Sequence, residues 1–273
     1  MEQNRPAPRR VPADPATMRR RRRNRRLRLL RNWVVFLLGC GAVLAVMTSG
    51  ILWLLPRAYA LIAPPETFEA REYSGSSVET DLDDPRLVLI NANLPMTEEP
   101  APELAVADDA TGVQLEAEAA SAYREMAAAA QEDGVELVLK TGYQDEAARQ
   151  AAYDEVVQSY RESGSSEESA AAKAATVQPA PSASEYATGY GADIFTTDSM
   201  DENTSFADSR AYRWLQAYAA EYGFILRWPQ ERQVATGIVY EPWHWRYVGV
   251  ENALAIRASG LSLEEYLALE QTK

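Results

Sequence analysis

The stretch Thr236–Gly249, TGIVYEPWHWRYVG, decides how this chain is read, because it carries His244, the one histidine among 273 residues. A single imidazole excludes every site that needs two. The single cysteine, Cys40, excludes an internal disulfide framework and a thiolate zinc cluster. Around His244 stand Tyr240, Trp243, Trp245 and Tyr247, an aromatic density that by itself reads as packing. Glu241, three residues before His244, reads on residue type alone as a partner for Arg227 or Arg246. A second stretch, Ser184–Ile194 (SEYATGYGADI), holds Asp193, a turn or capping carboxylate if taken alone.

Outward from these stretches, the folded region is expected over residues 85–273, the size of one domain. Leu87–Ile90 is a short apolar run suited to a strand. Leu115, Ala119, Ala122, Met126 and Ala130 recur at helical spacing, and Gly134 closes that helix. Val135–Lys140 is a strand followed by the Thr141-Gly142-Tyr143 turn. A helix over about 145–161 follows with Asp145 as its N-cap. Residues 162–184 form a surface excursion with one short helix. Residues 208–222 are helical and closed by Gly223. Strands are expected at 224–228 and 245–248, and the tail from Val250 is helical. Helices and strands are interspersed without βαβ repetition, so the class is α+β.

The two quoted stretches, with Tyr222–Pro229 (YGFILRWP), Leu87–Pro95 (LVLINANLP), Thr141-Gly142-Tyr143 and Gly260–Leu267 (GLSLEEYL), closely resemble the vancomycin-resistance-type D-alanyl-D-alanine carboxypeptidases. These are M15 zinc metallopeptidases. The resemblance implies a small M15-type fold and, as ligand, a peptidoglycan stem peptide ending in D-Ala-D-Ala. It also implies zinc held by a His-x6-Asp pair and a later histidine, with a glutamate as general base on the metal-bound water. By position, Asp193 and His244 are metal ligands and Glu241 is the base, while Tyr143, Gln144, Ser184 and Trp243 fall at substrate-binding positions.

Two positions depart from the pattern. Tyr186 stands where the first zinc-ligand histidine belongs, seven residues before Asp193, and no other histidine exists to replace it. A phenol is a costly ligand, since its pKa near 10 resists deprotonation at neutral pH. Gln144 stands where the family places an arginine that stabilises the oxyanion, and it brings no charge. Arg149, five residues on, is expected on a different helical face. Three functions stay open: a catalytically degenerate domain that binds wall peptides, an active zinc carboxypeptidase with Tyr186 as third ligand, and an interaction domain with a closed pocket.

Ahead of this region, Trp33–Leu55 is an uncharged run of 23 residues. A helix of that length crosses a hydrocarbon core of about 30 Å. Arg19–Arg31 is arginine-rich, so the positive-inside rule places residues 1–32 in the cytoplasm and the chain beyond the span outside the membrane. Residues 56–84 read as a stalk. Charge follows the same division: residues 1–57 sum to +11 and residues 58–273 to −24. An acidic bulk of that size argues against nucleic acid as a partner.

Overall fold

The computed structural model describes residues 27–39, 41, 44–50, 67–70 and 80–272. The chain divides into two units, residues 1–65 and residues 66–273. In the first, Leu27–Gly50 is a helix of 24 residues with mean hydropathy 2.0, long and apolar enough to cross a membrane. It starts six residues before the expected span, because the leucines among Leu27–Leu30 continue the helical run. Residues 51–55 of that span and most of the stalk lie outside the described residues.

The second unit is built on a four-stranded antiparallel sheet. In chain order its elements are β1 (Leu104–Val106), β2 (Gln114–Glu116), α1 (Ala117–Glu132), β3 (Val138–Thr141), α2 (Glu146–Glu162) and α3 (Glu167–Ala174). There follow β4 (Gly191–Phe195), α4 (Arg210–Tyr218), β5 (Phe224–Leu226), α5 (Gln233–Thr236), β6 (His244–Tyr247), α6 (Val250–Ser259) and α7 (Leu263–Glu270). The sheet order is β3-β4-β6-β5, and β1 and β2 form a separate antiparallel pair.

The pleat sorts the side chains. Ala192, Ile194, Trp245 and Tyr247 enter the main apolar cluster, together with Leu139 of β3 and the buried stripe Ala119, Ala120, Tyr123, Met126 and Ala130 of α1. The alternate residues, Asp193 on β4 with His244 and Arg246 on β6, therefore point to the opposite face. On that face a second cluster joins Ile225 of β5 to Ile256 of α6 and Leu263, Tyr266 and Leu267 of α7. A Ser262–Glu265 capping box starts α7 and fixes where its first-turn carboxylates point.

Several expectations shift. Leu87–Ile90 is not a strand; Asp84 caps a 3-10 turn over Pro85–Leu87, whose proline suits the first helical position. The helix expected from Leu115 begins at Ala117, because Leu115 pairs with Ala105 in the β1–β2 ladder. Strand β4 was not anticipated. Part of the expected stalk lies on the domain: the Phe68 ring packs edge-on against Tyr218 at 6.0 Å, and Thr80 hydrogen-bonds the Tyr266 hydroxyl at 2.7 Å.

Candidate functional site

Strands β4 and β6 set Asp193 directly opposite His244 in their register. That pairing brings the His244 Nδ1 within 2.7 Å of Asp193 Oδ1. The third participant comes from a 3-10 turn over Glu185–Thr188. Its end is fixed by Thr188 Oγ1 donating to the Glu185 carbonyl and by Gly189 in the left-handed region at φ 73°. A Cβ on Gly189 would meet the Glu116 backbone nitrogen at 2.7 Å, so the turn depends on glycine there.

This turn aims the Tyr186 hydroxyl between the two strand residues. It donates to Asp193, 2.8 Å from each carboxylate oxygen, and lies 3.0 Å from His244 Nδ1. The other imidazole nitrogen, Nε2, is 3.0 Å from Glu185 Oε1. With a carboxylate at each nitrogen, both must carry hydrogens, and the ring is an imidazolium. The Tyr186 oxygen accepts a share of the Nδ1–H. Trp228 stacks on the imidazole at 3.9 Å, and the Tyr186 ring meets it edge-on at 5.1 Å.

Glu185 is the hub of an ion cage. Its second oxygen accepts from Arg227 Nε at 2.9 Å and Arg246 Nη1 at 3.1 Å. Arg227 spends its other two nitrogens on Glu264 of α7. Arg246 donates Nη2 to the carbonyls of Arg86 and Val88 and Nε to its neighbour's carbonyl. Sequence reasoning missed Glu185 and offered Arg227 or Arg246 to Glu241 as a partner. The available signal was a second acid inside Ser184–Ile194, beside the anomalous tyrosine.

The electrostatics follow from burial and these partners. Burial alone would raise the Glu185 pKa, but Arg227, Arg246 and His244 outweigh it and hold the carboxyl well below its usual range. Burial would lower the His244 pKa, yet the bonds from Asp193 and Glu185 push it up to about 9. Tyr186 is held well above an ordinary phenol, first by burial and then by the Asp193 charge. Burial also pushes Glu241 well above a normal carboxyl, with the Asp193 charge adding to it. No hydrogen bond to the Glu241 carboxyl is formed among the described residues.

The donor set does not fit a zinc ion. A metal needs the Nδ1 lone pair and an ionised oxygen. Here the ordinary ligands are one carboxylate and one imidazole, and between them stands a phenol whose burial holds its proton in place and whose oxygen fills the space. Among the described residues no three His, Cys, Asp or Glu side chains converge as a metal would require.

Most of the positions named from sequence are buried. Tyr186, Glu241, Asp193 and Trp243 keep between 4% and 9% of their surface, and the Trp243 ring stacks on Phe195 of the core. Ser184 is fully buried with its Oγ unpaired. Tyr143 is half-buried, its backbone N–H donating to the Gln114 carbonyl at 2.8 Å. The Gln144 backbone N–H donates to the Tyr186 carbonyl at 3.2 Å, while its side-chain Oε1 is enclosed without a partner. Arg149 does not point away on another helical face. The first turn of α2 folds it back into the protein, where it donates to the carbonyls of Gln144 and Pro181 and to Glu99.

Comparison with known proteins bears on the family and the fold. The family model described as VanY, D-alanyl-D-alanine carboxypeptidase, matches residues 112–250. A D-alanyl-D-alanine carboxypeptidase of Enterococcus faecalis is 38% identical over 143 residues, which are 52% of each chain. A carboxypeptidase YodJ of Bacillus subtilis is 35% identical over 150 residues, 55% of this chain and 52% of the relative. The chain thus spans about half the length of the curated relatives it matches. Among solved structures, VanYB in complex with D-alanine-D-alanine superposes with a TM-score of 0.60 at 32% identity, covering 67% of this chain and 97% of that one. A vancomycin-resistance D,D-pentapeptidase VanY in complex with Zn(II) gives 0.61 at 32% identity, covering 67% and 99%. The chain belongs to the VanY family of D-alanyl-D-alanine carboxypeptidases.

Proposed function

We propose that this protein is a membrane-anchored, extracytoplasmic member of the family that binds peptidoglycan stem peptides without hydrolysing them. One observation carries the reading: the Tyr186 hydroxyl lies where Asp193 and His244 would share a metal, and it bonds to both. Hydrolysis in this family relies on a metal-activated water, and the triad offers two ordinary ligands with a protonated phenol in the space between them. Gln144 adds a second loss, because a neutral amide cannot balance charge developing on a carbonyl oxygen. The near-complete burial of Glu241 and Trp243 favours a narrower second reading, a closed interaction domain.

Measurement separates these. The full chain, purified in detergent, is expected to contain no stoichiometric zinc, to release no D-alanine from a pentapeptide, and to co-sediment with purified sacculi. Stoichiometric zinc together with D-alanine release would overturn the degenerate reading, and failure to co-sediment would favour the closed domain. The double change Tyr186→His with Gln144→Arg is expected to take up about one zinc per chain, because His244 keeps an outer carboxylate of the kind that orients metal-bound imidazoles.

A further inference from the structure

Away from the triad, a groove of about 540 Å³ carries charge of one sign only. It lies between the 3-10 turn that Asp84 caps and the residues 100–103 that lead into β1, and Glu116 of β2 and Tyr190 help to close it. None of Tyr186, Asp193, Glu241 or His244 lines it. We propose that this groove docks an extended peptide segment bearing lysine or arginine side chains, a partner separate from the wall peptide above.

The first observation is charge. Asp83, Asp84, Glu103 and Glu116 line the groove, and no lysine, arginine or histidine does. Arg86 answers Asp84, bonding both of its carboxylate oxygens. Glu116 uses Oε2 to cap the first turn of α1. The Asp83 and Glu103 carboxylates form no hydrogen bond or ion pair among the described residues. Like charges on low-dielectric walls focus their field into a concavity, so a cation is drawn there more strongly than to a flat acidic surface.

The second observation is the shape of the cation that fits. Among the described residues no three acidic, histidine or cysteine side chains converge as a metal requires. The wall between the carboxylates is apolar: Leu82 and Val88 each keep 42% of their surface, beside Ile90, Pro100 and Pro102. A hydrated metal ion gains nothing from such a wall, whereas the methylene stem of lysine or arginine packs on it while the charged head reaches the rim.

The third observation is Tyr190. It keeps 9% of its surface and lines the groove, yet its hydroxyl has no hydrogen-bond partner among the described residues. Burial, and then the Glu116 charge, hold the phenol above its ordinary value, so it stays neutral. A neutral hydroxyl both accepts and donates. A cationic N–H meets its oxygen, and its hydrogen meets a carbonyl, which a peptide has and a simple polyamine lacks.

Calorimetric titration of the full chain in maltoside micelles uses three probes: acetyl-Ala-Lys-Ala-Lys-Ala-amide, its analogue with glutamine at both lysine positions, and spermidine. The lysine peptide is expected to bind at least about fivefold more tightly than the glutamine peptide, the effect of two partly screened ion pairs. It is also expected to bind more tightly than spermidine, despite its lower charge. The double change Asp83→Asn with Glu103→Gln is expected to remove most of the lysine preference and leave the urea midpoint in place, since neither carboxylate has a partner in the fold. Tyr190→Phe is expected to weaken the lysine peptide about threefold, one hydrogen bond, with spermidine unchanged. Equal binding of the two peptides overturns the proposal, as does a double variant that binds unchanged or a lysine peptide that does not bind at all. Spermidine matching the peptide overturns it too, and marks the groove as a counter-ion surface. None of these outcomes bears on the zinc and D-alanine measurements above.

Discussion

Replacing Tyr186 by phenylalanine removes one oxygen and keeps the ring that meets His244 edge-on. Asp193 then loses a donor at 2.8 Å inside a buried site, so the expected cost is about 1–3 kcal/mol in urea unfolding. A change under about 0.5 kcal/mol would mean that solvent already supplies that bond. The imidazole gives a pH signature. The folded His244 pKa of about 9 lies above the free value of about 6.5, so the folded state holds the proton more tightly. Its contribution is complete below about pH 6.5 and is lost as pH climbs through about 9. Glu241, also raised, acts in the same direction from the ordinary carboxylate range upward. Glu185, held down, acts the opposite way, since its contribution is present above the ordinary carboxylate range and lost only in stronger acid. The melting temperature is therefore expected to fall between about pH 6.5 and 9, and His244→Gln should flatten that fall.

Gly142 governs the turn that carries Gln144. A Cβ there would lie 2.3 Å from the Gln114 carbonyl oxygen, a backbone atom that cannot step aside. Gly142→Ala is expected to cost about 1–3 kcal/mol in unfolding and to weaken peptide binding by shifting Gln144; unchanged binding would detach the turn from the site. Turns and caps of this kind are where the fold was legible. Asp145 accepts from the Ala148 N–H as its N-cap position implied, and Gly223 closes its helical stretch in the left-handed region. Helix periodicity located α1, since its apolar stripe is local. Strand β4 escaped because GADIF is buried on both faces and shows no alternation. Asp193 and His244 were legible as a pair through the resemblance, and Tyr186 as the anomaly between them. The ion cage was not. Glu185 meets Arg227 across 42 residues and Arg246 across 61, and no local pattern announces partners at such separations.

At the scale of the whole molecule, the charge division between residues 1–57 and 58–273 sets an acidic domain against a basic tail, and the long apolar helix lies between those extremes. An acidic surface of this size attracts divalent ions loosely, so metal dependence must be judged at the site and not by total metal retained. The site predicts none: a chelator in excess is expected to leave the melting temperature of the full chain within about 1 °C, because nothing bound to the native state is removed. A drop of several degrees would show a structural ion after all. A metal-built centre is a loan from the surroundings, and its integrity varies with how much of the ion the medium contains. The Tyr186 hydroxyl is attached to the same polypeptide as Asp193 and His244, so its effective concentration is set by chain geometry alone. On the proposed reading, a fold closed by its own phenol matures without waiting for an ion to be supplied.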